Sequence, residues 1–249
     1  MVHVIDGRHI AVIGAGVAGL ASAIALAQRG ARVTVFEQAD AIREVGAGLQ
    51  ISPNGYAVLQ ALGLGDAIQD AGVLSRAVVL HDHLARPVLR MDLGQAGFDY
   101  PFVLNHRARL ISVLEQAARA LGVQFQMGRP VAPDDVDADL VIGADGLHSK
   151  TRGLLNSDDA PRFSGQVAWR MIVADDAPPE SHVFMGPGCH LVTYPLGAGE
   201  RNIVAVQERA EWADEGWAHS DDPGAVRAAF QGFSPKVTRW LDAADRVMI

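Results

Sequence analysis

The chain has 249 residues, of which 49% are hydrophobic and 20% charged, and it carries a formal net charge of −8 at pH 7. This is the composition of an ordinary globular protein with enough chain for one large or two modest domains. The acidic balance argues against nucleic acid and anionic membranes as partners, and a lone cysteine, Cys189, excludes an internal disulfide and any cysteine-cluster metal site.

With no export signal in front of it, the composition points to a cytoplasmic protein. His9–Ile13 is a short apolar run of strand type, followed at once by Gly14-Ala15-Gly16-Val17-Ala18-Gly19. Leu20 to Arg29 is rich in Ala, Leu and Ile, as a buried helix is, and Gly30 is a natural stop. Ala31–Phe36 reads as a second strand that ends at Glu37. Together they form a βαβ unit with an acid at the tip of its second strand. Gly14 permits the tight turn, Gly16 lets a pyrophosphate approach the backbone, and Gly19 lets helix and strand pack closely. The helix N-terminus offers unpaired N–H groups to that pyrophosphate, and Glu37 can accept hydrogen bonds from the hydroxyls of an adenosine ribose. The unit alone does not separate NAD from FAD. A membrane span over the uncharged run Ile10–Ala27 is the competing reading, but three glycines and Ser22 dilute it and a charged strand follows.

Gln38 to Glu44 is polar, and Val45–Gly55 is a glycine-rich loop with a short strand inside it. Tyr56–Gly63 has helical spacing, and Asp66–Ala71 continues that region. Ala77–Leu80 and Pro87–Met91 read as two strands joined around Leu84-Ala85-Arg86. His81 and His83 would share one face of such a strand, and with no third ligand in view they are expected to be surface histidines rather than metal ligands. Asn105–Leu121 is the second clear helix, with Gly122 as its stop. Val123–Met127 is a strand, Pro130–Asp139 an acidic loop, and Leu140–Ala144 a buried strand ending at Asp145-Gly146. From Phe163 the chain turns β-rich, with strands expected at Gln166–Val173, His182–Met185, Cys189–Tyr194 and Asn202–Gln207. Two short helices near Pro223–Gln231 and Pro235–Ala243 follow, and Arg246–Ile249 begins another strand-like run.

The order of these pieces resembles the single-component flavoprotein aromatic hydroxylases, in particular the salicylate hydroxylase and 3-hydroxybenzoate 6-hydroxylase branch. The likeness rests on the glycine fingerprint with Glu37, on Gly46-Ala47-Gly48-Leu49-Gln50 before Ser52-Pro53-Asn54, and on His106-Arg107. Asp145-Gly146 with Ser149 and Arg152, Ala168-Trp169-Arg170, and His190-Leu191-Val192-Thr193-Tyr194-Pro195 complete it. The fold the resemblance implies is α/β, a Rossmann-like FAD-binding domain of the glutathione-reductase type with an interleaved β-rich α+β substrate domain. Residues 1–74 and 101–160 would form the first, and 75–100 and 161–249 the second.

The resemblance also implies roles. Gly14, Gly16, Gly19, Glu37 and Gln38 match the FAD pyrophosphate and ribose site, Gln50 a loop position that touches the cofactor, and Val131 a backbone contact to adenine. Arg107 matches an arginine beside the flavin, where its planar fork and permanent charge suit a pyrophosphate or ribityl contact. Asp145-Gly146 matches the motif used for both FAD and the visiting NADH or NADPH, although such a pair after a strand is often only a turn. Arg43, six residues past Glu37, either reaches the adenosine half or is a solvated surface arginine. His190 and Tyr194, four apart, share a strand face, and in this branch such a pair faces the aromatic substrate. A histidine suits removal of a phenol proton near neutral pH; a half-buried histidine hydrogen-bonded within a sheet is the alternative.

The implied activity is FAD-dependent monooxygenation of a phenolic compound with NAD(P)H and O2 through a flavin hydroperoxide, with no metal. Two departures from the family accompany it. The Met127–Leu140 segment is shorter by a β-hairpin, and the chain stops before the family's later Gly-Asp motif, as an N-terminal portion would. A truncated, non-catalytic nucleotide-binding remnant is therefore the competing function, and uncovered apolar surface would favour a homo-oligomer. A short-chain NAD-dependent dehydrogenase is disfavoured, because Tyr56, Tyr100 and Tyr194 are followed four positions on by Gln60, Leu104 and Ala198 rather than lysine.

Overall fold

The computed structural model describes residues 4–42, 47–156, 161–211 and 220–249. Strand β1 (His9–Ile13) is apolar on both faces, as a strand covered on both sides must be, and Ile10, Ala11 and Val12 are fully buried. Helix α1 (Val17–Ala27) begins earlier than the Leu20 expected from sequence, because Gly16 takes an extended backbone and hands the chain straight into the helix. Its buried residues are Gly19, Leu20, Ala23 and Ile24, and the chain leaves it through Gly30 at φ +86° before β2 (Arg32–Phe36).

Next in order come β3 (Gly48–Ile51), α2 (Pro53–Ala61), α3 (Gly65–Asp70), β4 (Gly72–Leu74), β5 (Ala77–Asp82) and β6 (Pro87–Asp92). They lead to β7 (Val103–His106), α4 (Arg107–Ala120), β8 (Gln124–Gln126), a 3-10 turn at Pro133–Asp135, β9 (Leu140–Gly143) and α5 (Lys150–Leu155). The last third holds β10 (Gln166–Ala174), β11 (Glu180–Gly186), β12 (Cys189–Gly197), β13 (Glu200–Glu208), α6 (Pro223–Ala229) and α7 (Pro235–Asp242).

The chain divides into two compact units. One comprises Met1–Glu44, Ala61–Leu64 and Ala108–Arg162, and the other Val45–Gln60, Gly65–Arg107 and Phe163–Ile249. The first contains a parallel sheet in the order β8-β2-β1-β9. Because β1 and β2 are sequential and β9 arrives on the other side of β1, the ends of β1, β2 and β9 converge where the chain enters α1. The second unit contains an antiparallel sheet β3-β7-β4 and a six-stranded sheet β10-β13-β12-β11-β5-β6, antiparallel except where β5 meets β11. Alternation along β10 sends Trp169, Met171 and Val173 into a core with Phe184, Leu191, Ile203, Phe230, Val237 and Leu241. The other face of β10, β13 and β12 carries Arg170, Val204, Val206, His190 and Val192.

Two readings of the sequence are corrected. The helix expected from Asn105 starts at Arg107, because Val103 and Leu104 are fully buried and β7 is paired on both sides, by β3 and β4. His81 is not a surface histidine. It is 9% exposed, lies 3.1 Å from His182 (Nε2 to Nδ1) and stacks on Phe184 at 4.6 Å, while His83 lies beyond β5 and meets Phe233 edge-on. The run Ile10–Ala27 is β1 and α1, and among the described residues no helix is long and apolar enough to cross a membrane.

Candidate cofactor and substrate sites

At the C-terminal ends of β1, β2 and β9, within the first unit, lies a pocket of about 310 Å³. Its walls include Gly14, Gly16, Glu37, Gln38, Val131 and Asp145, all singled out in the sequence. Open α/β sheets bind their ligands in this place, where strands feed helix N-termini.

The three glycines are needed for different reasons. Gly14 adopts φ +104°, and a Cβ there would lie 2.4 Å from the Ala144 carbonyl oxygen. At Gly19 a Cβ would come within 1.9 Å of the Gly14 carbonyl oxygen, so the close approach of α1 to the strand end depends on its absence. Gly16 is unlike both. Its backbone (φ −74°, ψ −177°) suits any residue, and a Cβ built on it meets no atom of the described residues within 4 Å. Nothing among the described residues calls for glycine at 16, while the open space in front of it is the pocket. A ligand passing against that backbone accounts for it, so the cradle fits a diphosphate.

Glu37 is held at the rim. One carboxylate oxygen accepts the Ala15 N–H at 2.8 Å and the other the Ala39 N–H at 2.9 Å. Each oxygen keeps a lone pair for a further donor such as a ribose hydroxyl. Asp145 is committed differently. Its carboxylate accepts the Ser149 hydroxyl at 2.6 Å, the Lys150 N–H at 2.8 Å, and the Thr151 N–H and hydroxyl at 3.1 Å. Burial pushes its pKa up, but the hydrogen bonds from Ser149 and Thr151 outweigh this and hold it below the usual carboxylate range. Asp145 thus secures α5 and the loop Gly146–Ser149, while Gly146, Leu147, His148 and Lys150 line the pocket. Of the other assigned residues, Gly19 packs the helix rather than lining the pocket, and Arg43 lies outside the described residues.

Gln50 and Arg107 belong to the second unit. Gln50 is half-buried on β3 opposite Leu104, and the Arg107 N–H, just past β7, donates to the Ala47 carbonyl at 3.3 Å. Burial lowers the Arg107 pKa. Burial also lowers that of Arg170 on β10, and there the nearby Arg107 charge adds to the effect while Tyr194 opposes it. Tyr194 is 3% exposed and packs with Leu104 and Leu196. Burial raises its phenol pKa well above the ordinary value, so it remains a neutral hydroxyl. Its ring also fixes Gly48, where a Cβ would lie 2.8 Å from ring carbon Cε2, and the Gly48 N–H donates to Asn202 Oδ1 at 2.7 Å.

His190 is half-buried in a depression of about 360 Å³ with Val183, Met185 and Val206 in its wall. It shares the face of β12 with Tyr194, but four residues of strand separate them by about 13 Å. The structure therefore places the two on one surface without direct contact. Arg129, Pro130 and Leu147 were not marked by the sequence as pocket wall, and Arg170 stood out there only within Ala168-Trp169-Arg170, with nothing to place it beside Arg107. Arg170 could have been sought through the alternation of β10, which sends it away from the Trp169–Met171 core.

A family model described as an FAD binding domain matches residues 8–135. The 3-amino-4-hydroxybenzoate 2-monooxygenase PtmB3 of Streptomyces platensis is 32% identical over 99% of this chain and 68% of its own length. The 3-hydroxybenzoate 6-hydroxylase of Polaromonas naphthalenivorans is 32% identical over 94% of this chain and 64% of its own. Among solved structures, Klebsiella pneumoniae HpxO complexed with FAD and uric acid superposes with a TM-score of 0.80 at 26% identity, covering 97% of this chain and 67% of that one. The chain thus spans about two thirds of the length of the proteins it resembles.

Proposed function

Because the chain belongs to the FAD-binding-domain family of flavoprotein monooxygenases, we propose that its first-unit pocket takes the adenosine diphosphate half of FAD and that the protein hydroxylates a small phenolic aromatic compound with NAD(P)H and O2. The observation that carries this reading is the unforced glycine at 16 facing an open pocket, with Glu37 fixed at its rim.

The residues would divide the work as follows. Gly14, Gly16 and the α1 N-terminus receive the diphosphate, Glu37 and Gln38 the ribose, and Val131 the base; Asp145 keeps the loop Gly146–Lys150 in place around them. Gln50 and Arg107 serve the flavin half. Residues 1–74 and 101–160 then form the cofactor-binding part and residues 75–100 and 161–249 the substrate part. This functional division cuts across the compact units, because β3 and β7 pack with the second. When bound, the flavin supplies the activation of oxygen after reduction by a nicotinamide nucleotide.

His190 is the group in this arrangement suited to accept a phenol proton. Its setting of Val183, Met185 and Val206 suits an aromatic ring, and a deprotonated phenol is the more electron-rich substrate. Tyr194, held neutral, would act as a hydrogen-bond donor rather than a base. The Arg170 charge beside it, with Arg107 near Arg170, favours an anion over a neutral molecule on that side. The relatives' names point the same way, since hydroxybenzoates are phenols that carry a carboxylate.

The test is reconstitution. Purified chain is mixed with FAD, freed of excess cofactor, and assayed for retained flavin absorbance and for NADH or NADPH consumption stimulated by phenolic acids. Retention with stimulated turnover is the expected result, and a chain that retains no flavin refutes the reading.

A further inference from the structure

One cation in the pocket is not accounted for by the roles above. Arg129 lines the same wall as Phe36, Glu37 and Val131, and three contacts hold it there. Its backbone N–H donates to the Glu37 carbonyl at 2.9 Å, which carries the β2–β8 pairing one step past the end of β2. Its guanidinium carbon lies 5.3 Å from the centroid of the Phe36 ring, and Nη1 donates to Gln126 Oε1. Phe36 is 5% exposed and so provides a fixed floor.

The order of groups along the pocket then decides what Arg129 meets. Gly16 and the α1 N-terminus mark the diphosphate end, and Glu37 stands one step away, bonded to Ala15. Arg129 lies on the far side of Glu37 from the glycine loop, tethered to the Glu37 carbonyl and next but one to Val131. A guanidinium laid over an aromatic ring is a planar, delocalised cation that stacks well on a purine face. We infer that Arg129 is the base-stacking residue of this site, gripping adenine through its guanidinium plane, and that the adenosine diphosphate half of the ligand therefore anchors in the first unit without the flavin half. This rests on the FAD reading above.

The test measures binding and does not depend on turnover. FAD is titrated by flavin fluorescence and ADP by calorimetry, at low and at high salt, into wild type, Arg129→Ala and Arg129→Lys. Circular dichroism confirms that both variants are folded. Wild type is expected to bind both ligands, and Arg129→Ala to bind each about tenfold more weakly, by the same factor at both salt concentrations. Arg129→Lys keeps the charge but not the plane and should recover less than half of that loss in free energy. Equal affinity of Arg129→Ala and wild type overturns the inference while leaving the FAD reading intact. Full recovery by lysine, or a loss that vanishes at high salt, overturns it in favour of a point-charge contact to phosphate. A wild type that binds FAD but not ADP overturns the separate anchoring of the ADP half, and one that binds neither overturns the FAD reading itself.

Discussion

Gly16→Ala and Gly19→Ala should damage the protein in opposite ways. At position 16 the backbone is extended and a methyl group meets none of the described residues within 4 Å. The alanine restricts the unfolded chain, which stabilises by about 0.4–1 kcal/mol, but it is a poorer helix N-cap than glycine by a similar amount. The two effects offset each other to within about 0.5 kcal/mol, so the ligand-free melting temperature should move little. The same methyl occupies the space a diphosphate would cross, and an overlap of that kind costs about 1.5–3 kcal/mol, a loss of roughly 10- to 150-fold in FAD affinity. At position 19 the added carbon would lie 1.9 Å from a backbone carbonyl oxygen. Neither group can rotate away, so helix and strand must separate, at a cost of about 2–3 kcal/mol even after the gain in helix propensity. Thermal melting without ligand and fluorescence titration with FAD separate the two effects. If Gly16→Ala melts as low as Gly19→Ala, or binds FAD as tightly as wild type, the argument that this glycine answers to a ligand is wrong.

Asp145→Ala removes the acceptor of two backbone N–H groups and two hydroxyls at the start of α5, and it should cost about 1–2 kcal/mol in stability. Because the freed loop lines the pocket, FAD affinity should fall as well, as urea denaturation and flavin titration would show. In the active enzyme, His190→Ala should slow hydroxylation of phenols by about 10²- to 10⁴-fold with FAD affinity unchanged; stopped-flow kinetics in which product forms at the wild-type rate would remove its role as base. Burial, with the charges of His81 and Lys236 adding to it, lowers the His182 pKa from 6.5 to about 4. Between those values the unfolded chain binds a proton that the folded chain does not. The contribution is therefore complete above pH 6.5 and shrinks as pH falls toward 4, by about 3 kcal/mol for this 12%-exposed side chain. His182→Gln should flatten that part of the urea-midpoint profile relative to wild type, and parallel profiles would count against the assignment.

The first crossover was legible because its signals are local. An apolar strand, three glycines at fixed offsets and an acid at the next strand tip lie within one short segment, and the backbone obeys them. The later antiparallel strands were legible from alternation, which places Trp169 and Met171 in the core. Where non-local pairing decides, the reading failed. Nothing adjacent in sequence distinguishes Asn105-His106 as strand from the helix that follows, because β7 exists through its partners β3 and β4. His81 looked exposed because its partner His182 is a hundred residues away on a strand that pairs with its own.

The same distinction separates the two candidate sites. A diphosphate is recognised by backbone N–H groups, so its signature must be glycine and must be contiguous, and the sequence displays it. Aromatic recognition here would use one face of a six-stranded sheet, to which β12 gives His190 and Tyr194 and β10 gives Arg170. Alternation predicts that His190 and Tyr194 point the same way, but not that Tyr194 is wedged beneath Gly48 while His190 stands in an open depression. That difference comes from strands distant in sequence: Leu104 of β7 packs on Tyr194, and Gly48 of β3 lies against its ring while its N–H bonds Asn202. Any side chain at 48 would push the three-stranded sheet away from β12. The glycine at 48 is thus a packing requirement, whereas none of the described residues calls for one at 16, although the two look alike in the sequence.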